Sequence, residues 1–327
     1  MEMLNLAAVL KASADPIRLD ILRLLRRDSL AASELALLLD IKQSALSHHL
    51  KVMTQAQWLN TRREGNTLFY RRQLSTELSI ARVQQAVLAS LDAEPLPKAL
   101  SSELNGLRDE RQAISAAFFE NHAHELDTVT DRIAGYKHYA DALHQALLAV
   151  DVADCRSALE IGPGDGGFLP FLSERFTQVY ALDIAEPMLE LARSQVATLD
   201  NIKFIHGDAH LALDQGIQVD FVALNMVLHH VPSPAELLAD CWQLLNEQGW
   251  LLVTDLCAHE QDWVQEACGD FWMGFDTDEL LGWAKSNGFE AREPVLLGLK
   301  NGFQVQIHLF KKHATAAEHT TRSLPAH

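Results

Sequence analysis

Residues 157–161 read as a short buried strand that passes without a break into Gly162-Pro163-Gly164-Asp165-Gly166-Gly167, and a helical pattern resumes at about Phe168. A buried strand, a glycine-rich turn and a helix, in that order, constrain the fold more than any other feature of the chain. They bring backbone close to a ligand at the carboxyl edge of a parallel sheet, where a Cβ would collide. The next strand, 178–182, ends in Asp183, about twenty residues beyond the glycines, a spacing that lets one carboxylate accept from both hydroxyls of a ribose. A third strand, 202–205, ends near Asp208, placed to accept from an adenine amino group. Gly162, Gly164 and Gly167 also satisfy the dinucleotide fingerprint, so a nicotinamide dehydrogenase stands as an alternative. Charge argues for a different ligand: Glu160 and Asp165 repel a pyrophosphate and attract an ammonium and a sulfonium.

The pattern extends on both sides. Helical periodicity runs through 108–125 and 133–150, a fourth strand begins at Asp220, and a fifth spans 250–255. Residues 295–299 and 304–310 read as a hairpin across Asn301-Gly302. The last residues, 314–327, lack periodicity and are expected to be mobile. Pro95, Pro97 and a polar run suit a linker, which divides the chain into domains at 1–92 and 110–313 with a linker at 93–109.

The net charge of −17 is hostile to nucleic acid, but its distribution is not uniform. Residues 1–75 carry eleven Lys/Arg against seven Asp/Glu, and residues 41–75 carry six against one. A helix at 14–25, with Asp15 as N-cap and Pro16 in its first turn, buries Ile17, Ile21, Leu24 and Leu25. A short helix at 33–39, started by the capping Ser33, turns through Asp40 into a third helix at 43–55. That third helix turns Leu46, Leu50 and Met53 inward and leaves Gln43, Ser44, Ser47, His48 and Lys51 for base edges and phosphates. Strands at 61–63 and 67–72 follow, a hairpin bearing Arg62, Arg63, Asn66, Arg71 and Arg72. A helix-turn-helix followed by a basic hairpin is an α+β winged helix. Ile80, Val83, Val87 and Leu91 line one face of a further helix, open to either a dimer surface or the core of one chain.

Ala14-Asp15-Pro16-Ile17-Arg18, Glu34-Leu35-Ala36, residues 44–51 and Arg62-Arg63-Glu64-Gly65-Asn66 resemble the arsenic-resistance-repressor family of bacterial winged-helix regulators. The resemblance implies a homodimer on palindromic double-stranded operator DNA. Members that sense metals do so through thiols ahead of the Glu-Leu pair, where this chain has Ala31, Ala32 and Ser33. The four cysteines, Cys155, Cys241, Cys257 and Cys268, form no C-x-x-C, so no metal site is expected.

Residues 110–313 resemble a class I S-adenosylmethionine-dependent methyltransferase, with a Rossmann-like α/β sheet of seven strands. The motifs are Leu159-Glu160-Ile161-Gly162-Pro163-Gly164-Asp165-Gly166, Ala181-Leu182-Asp183-Ile184, His206-Gly207-Asp208-Ala209 and 220–230. The resemblance implies that Glu160, Gly162 and Gly164 hold the amino-acid part of S-adenosylmethionine or S-adenosylhomocysteine. It places Asp183 at the ribose, Ile184, Met188, Asp208 and Ala209 around the adenosine, and Asn225 beside the sulfonium. His229, His230, Asp255 and His259 are the candidates for a methyltransferase base, and no substrate motif is visible. The fusion resembles adenosylhomocysteine-responsive repressors of methionine-cycle genes. A methyltransferase of a small molecule or arsenite that regulates its own expression is the alternative. No run of about 18 apolar residues is present to span a bilayer, and a cytoplasmic location is expected.

Overall fold

The computed structural model describes residues 6–122, 133–148, 155–261 and 263–313, leaving out the side chains of 265–267. The tail expected at 314–327 lies outside them, as do the far ends of the helices read at 108–125 and 133–150. Two compact units divide the chain: residues 1–133 with Val227–Leu237 and Leu256–Phe275, and residues 134–226 with Leu238–Asp255 and 276–327.

The first unit begins with α1 (Leu6–Ser13), α2 (Pro16–Leu24), β1 (Leu30–Ala31), α3 (Ala32–Leu38) and α4 (Gln43–Gln55). β2 (Leu59–Glu64), β3 (Thr67–Arg72), α5 (Leu78–Asp92) and α6 (Lys98–His122) follow. Asp15 caps α2 by accepting from Arg18 N at 3.1 Å, with Pro16 opening the helix. Asp40, at φ 48°, reverses the chain between α3 and α4. The three strands pair antiparallel in the order β1-β3-β2. Ile21, Leu24, Leu35, Leu46, Leu50, Met53 and Trp58 are buried together, and Trp58 Nε1 donates to Val9 O at 2.9 Å, which fixes α1 over the core. Each such side chain contributes about 1.5–3 kcal/mol on burial.

Two expectations need correction, and one left open is decided. α3 starts at Ala32, ahead of Ser33, because Leu30 and Ala31 are already paired with Tyr70 and Phe69 in β3. Glu34 Oε2 closes the helix start instead, accepting from Ala31 N at 2.6 Å. The linker at 93–109 shrinks to its first few residues, since α6 runs unbroken from Lys98. Pro95 and Pro97 end α5, but Leu100, Leu104 and Leu107 then pack on the core, and helix formation resumes. On α5, Ile80 is buried and Val87 and Leu91 pack against the same core, so this stripe serves the interior of one chain. The fourth residue of that face, Val83, is half-buried.

The later segments of the first unit, which include α12 (Trp263–Cys268), cover the wing. Glu64 Oε2 accepts from Met273 N at 2.9 Å, Arg62 donates to Gly274 O, and the Phe69 ring meets Trp272 edge-on at 5.1 Å. Asp28, 3 % exposed, receives Arg108 at 3.0 and 2.6 Å and Ser233 Oγ at 2.6 Å.

The second unit holds β4 (Ser157–Ile161), β5 (Gln178–Asp183), β6 (Ile202–His206), β7 (Val219–Asn225) and β8 (Leu245–Leu256), with Leu256 at the unit border. It continues with β9 (Phe289–Ala291), β10 (Val295–Gly298) and β11 (Gln304–Lys312). The sheet order is β10-β11-β8-β7-β4-β5-β6, with β9 on β11 as an eighth, short strand. The pairs β4/β5, β4/β7, β5/β6 and β7/β8 are parallel, and β10/β11 is the expected antiparallel hairpin. The helices are α7 (Ala140–Leu148), α8 (Leu169–Arg175), α9 (Glu186–Gln195), α10 (Ala209–Asp214), α11 (Pro234–Leu244), whose first turn belongs to the first unit, and α13 (Thr277–Ser286). The central strands are buried on both faces, as a sheet covered by helices requires.

Candidate functional site

The parallel register brings one end of four strands together. Ile161 pairs with Leu182 and Leu224, and Asp183 with His206. Gly162, Asp183, Asp208 and Asn225 therefore all stand at the carboxyl edge, the side on which open α/β sheets bind ligands. In the loop after β4, Gly162, Gly164 and Gly166 have φ of +66°, +57° and +84°. A Cβ at Gly166 would lie 3.1 Å from Ala192 Cα, whereas one at Gly164 would enter open space. Only glycine takes this path easily, and at Gly164 it leaves the backbone exposed to a ligand.

Glu160 and Asn225 face each other across β4 and β7, with Asn225 Nδ2 donating to Glu160 Oε1 at 3.1 Å. Glu160 Oε2 and Asn225 Oδ1 are both buried without a hydrogen bond. Two orphaned acceptors side by side are costly, and a cationic or hydrogen-bond-donating ligand would satisfy them. Burial, with Asp165 adding to it, pushes the Glu160 carboxyl up to about 8. Asp183 Oδ1 accepts from Ala185 N at 2.9 Å, and burial outweighs that bond to raise its carboxyl to about 6. Asp208 caps α10 through Leu211 N at 2.9 Å, Ala209 and Met188 are buried, and Ile184 is half-buried. Met226, directly after Asn225, sits at φ 56°, a conformation that costs a non-glycine residue about 1 kcal/mol or more.

Two tyrosines outside every motif belong to this edge. Tyr136 Oη bonds His144 Nε2 at 2.8 Å, and its ring lies so close to Gly167 that a Cβ there would come within 3.1 Å. Burial, reinforced by Glu160 and Asp165, raises the Tyr136 and Tyr139 hydroxyls, so both stay protonated donors. No spacing rule marks them, because they precede β4 on a separate turn.

Of the methyltransferase-base candidates, Asp255 is buried at the end of β8. His259 N donates to Met273 O at 3.0 Å in the first unit. His229 and His230 lie there beside Asp270: His230 Nδ1 is 3.3 Å and His229 Nε2 3.9 Å from Asp270 Oδ1. Burial and the neighbouring His229 hold His230 well below the usual imidazole range.

On the winged helix, Gln43, Ser44, Ser47, His48 and Lys51 are exposed along α4, and Arg63 and Asn66 are exposed on the wing. Arg71 is half-buried. Arg62 departs from expectation: its side chain is 15 % exposed, pairs with Glu64, and lies 5.6 Å from the Trp272 ring and 5.2 Å from that of Phe275. A guanidinium already paired and stacked holds the wing in place and is poorly placed for phosphate. Glu64, raised by burial and lowered by Arg62 and Met273 N, is the partner that turns it inward.

A family model for a methyltransferase domain matches residues 159–253, and one for bacterial regulatory proteins of the arsR family matches residues 15–57. The chain is 24% identical over 156 residues to a ubiquinone biosynthesis O-methyltransferase of Leptothrix cholodnii, covering 42% of this chain and 66% of that protein. It is 28% identical over 138 residues to a demethylmenaquinone methyltransferase of Staphylococcus epidermidis, covering 41% and 56%. An uncharacterized methyltransferase of Mycobacterium bovis is 30% identical over 140 residues, covering 40% of this chain and 68% of that protein. The match thus spans less than two thirds of the length of the first two relatives. Among solved structures, a putative methyltransferase of Haloferax volcanii, in complex with its activator, shares the fold at 17% identity and TM-score 0.51, covering 62% of this chain and 99% of that one. Among the described residues no helix is long and apolar enough to cross a membrane.

Proposed function

We infer function from a chain that belongs to the methyltransferase-domain family by residues 159–253 and carries, at residues 15–57, the helix-turn-helix of the arsR-family regulators. Its role is that of a cytoplasmic, homodimeric transcription regulator that reads S-adenosylmethionine against S-adenosylhomocysteine and passes the difference to operator DNA. The observation that carries this reading is one of chain continuity. β7 and β8, whose ends bear Asn225 and Asp255, run directly into Val227–Leu237 and Leu256–Phe275, and these segments belong to the unit that carries the winged helix.

The orphaned acceptors of Glu160 and Asn225 and the open backbone at Gly164 fit the amino-acid and sulfonium end of such a ligand. Asp183 would receive the ribose hydroxyls, with Ile184, Met188, Asp208 and Ala209 around the base. When bound, S-adenosylmethionine supplies an electrophilic methyl group. The product lacks that methyl and its positive charge, so a buried carboxylate at Glu160 discriminates the two, and only such a difference can shift DNA affinity. On the DNA side, Gln43, Ser44, Ser47, His48 and Lys51 address the major groove while Arg63, Asn66 and Arg71 track the backbone. Methionine-cycle genes are the natural targets of such a sensor.

Calorimetric titration of the protein with each ligand, with and without DNA from its own upstream region, tests the reading. Unequal coupling of the two ligands to DNA is expected, and absence of binding by either would overturn it. A second reading, a methyltransferase that controls its own expression, draws on the relatives that methylate quinone precursors by name. Binding of both ligands with no coupling to DNA would favour it. Burial pushes the Cys268 thiol up to about 12, which disfavours the thiolate at that position as a ligand for trivalent arsenic.

A further inference from the structure

We propose that His229, His230 and Asp270 form a binding site for a divalent transition-metal ion, with zinc the best match. The three side chains converge from two segments far apart in sequence. His229 and His230 lie in the turn Leu228–His230, and Asp270 follows α12. One ligand atom from each lies within 4.8 Å of the other two.

The geometry is that of ligands around an ion more than that of a hydrogen-bonded pair. His230 Nδ1 stands 3.3 Å from Asp270 Oδ1, yet it is buried and makes no hydrogen bond. Zinc bonds of about 2.0–2.1 Å set the edges of a ligand tetrahedron at roughly 3.4 Å. The His230–Asp270 separation already meets that edge, and the 3.9 Å from His229 Nε2 to Asp270 Oδ1 needs a small closure. The Asp270 side chain is 1 % exposed and that of His229 5 %. A carboxylate held so far from water, beside two imidazole nitrogens, is a ready anionic ligand for a cation.

The surrounding structure holds the three in place. Phe271 N and Trp272 N both donate to His229 O, at 2.9 and 3.0 Å, so the segment that carries Asp270 is laced to the turn that carries the histidines. Trp272 Nε1 reaches Val231 O at 2.8 Å, and Phe119 packs edge-on against the His230 ring at 4.8 Å. Two imidazoles and one carboxylate select borderline ions such as zinc, ferrous iron or cobalt. Calcium and magnesium prefer oxygen alone, and cuprous ions prefer sulfur. Three protein ligands leave one position for water or a fourth donor. The ion would clamp Val227–Leu237 to Leu256–Phe275, whether or not the sheet binds a methyl donor.

The test is equilibrium dialysis of the full-length protein, stripped with chelator, against zinc, with cobalt as a spectroscopic probe. One ion per chain is expected, with the visible d–d absorption of low-symmetry cobalt. Asp270→Asn and His230→Ala should each weaken binding by at least about a hundredfold, more than an outer-shell change would. His122→Ala, at the exposed end of α6, should leave it unchanged. Retention of the ion by folded Asp270→Asn and His230→Ala proteins, or failure of the wild type to hold one zinc, would overturn the site. X-ray absorption of the wild-type zinc complex decides the matter independently of variant folding: two imidazoles and an oxygen support it, and any shell without imidazole refutes it.

Discussion

Glu160 and Asp183 are the residues whose chemistry is most exposed to measurement. In the unliganded protein burial raises the Glu160 carboxyl to about 8, against 4.5 in the unfolded chain. The folded state then binds more protons than the unfolded one across that window. Stability contributed at this position is therefore lost as pH rises from about 4.5 to 8. Glu160→Gln removes the titration, so its Tm should fall less between about pH 5 and 8 than that of the wild type, and equal falls would place the slope elsewhere. A cationic ligand reverses the burden by favouring the carboxylate, so binding of adenosylmethionine should release a proton and tighten toward pH 8. On the proposed reading Asp183 receives the ribose, so Asp183→Ala should weaken both ligands at least about tenfold. Operator affinity without ligand should be unchanged, and equal loss of the two functions would sink the separation of ligand site from DNA site. Their meeting at one sheet edge was legible in the sequence because the strand, the glycines and the next strand's terminal carboxylate obey spacings set within one βαβ unit. Tyr136 and Tyr139 obey no such spacing, since they reach the glycine loop by tertiary packing.

At the scale of elements, the wing shows where reading by charge fails. Arg62 and Arg63 are adjacent and identical in type, yet strand alternation sends them to opposite faces. Arg63 is exposed, while Arg62 finds Glu64 two residues on and Gly274 far along the chain. Only the second of these contacts distinguishes a structural arginine from a DNA contact, and it is invisible to local pattern. Arg63→Ala should lower the salt dependence of DNA binding by about one unit of log–log slope per chain while leaving stability nearly unchanged. Arg62→Ala takes from buried Glu64 its nearest cation, leaving the weaker pull of Arg71, and should cost about 3 kcal/mol in denaturant unfolding, with the salt slope preserved. An interchange of these two outcomes would reverse the assignment of the wing. α6 carries the complementary lesson. Its prolines punctuate locally, but Leu100, Leu104 and Leu107 at helical spacing win over them once a core is present to receive them.

For the molecule as a whole, the division of the chain is not the division of the sequence into halves. The expectation of one domain ending near residue 92 and another starting near 110 treats the fusion as two beads on a linker. The first unit instead draws in Val227–Leu237 and Leu256–Phe275, segments that continue from strand ends of the second unit's sheet. On the proposed reading, a shift of the chain at Asn225 or Asp255 would pass by covalent continuity to residues that grip the wing: Met273, Gly274 and Trp272 on Glu64, Arg62 and Phe69. A regulator needs a coupling of about 1–3 kcal/mol, or roughly 5- to 150-fold in operator affinity, and a few such contacts suffice for it. Trp272→Leu keeps an apolar side chain but loses the edge-on contact with Phe69, the bond to Val231 O and the cation–π contact with Arg62. It should leave calorimetric ligand affinity and unliganded DNA affinity within about twofold of the wild type, and bring the ratio of liganded to unliganded operator affinity close to one. Fluorescence anisotropy of labelled operator, with and without adenosylhomocysteine, reads that ratio directly. A variant that keeps the full ratio would exclude the wing as the receiver of the signal and move the coupling to α6 or to the Asp28 cluster with Arg108 and Ser233.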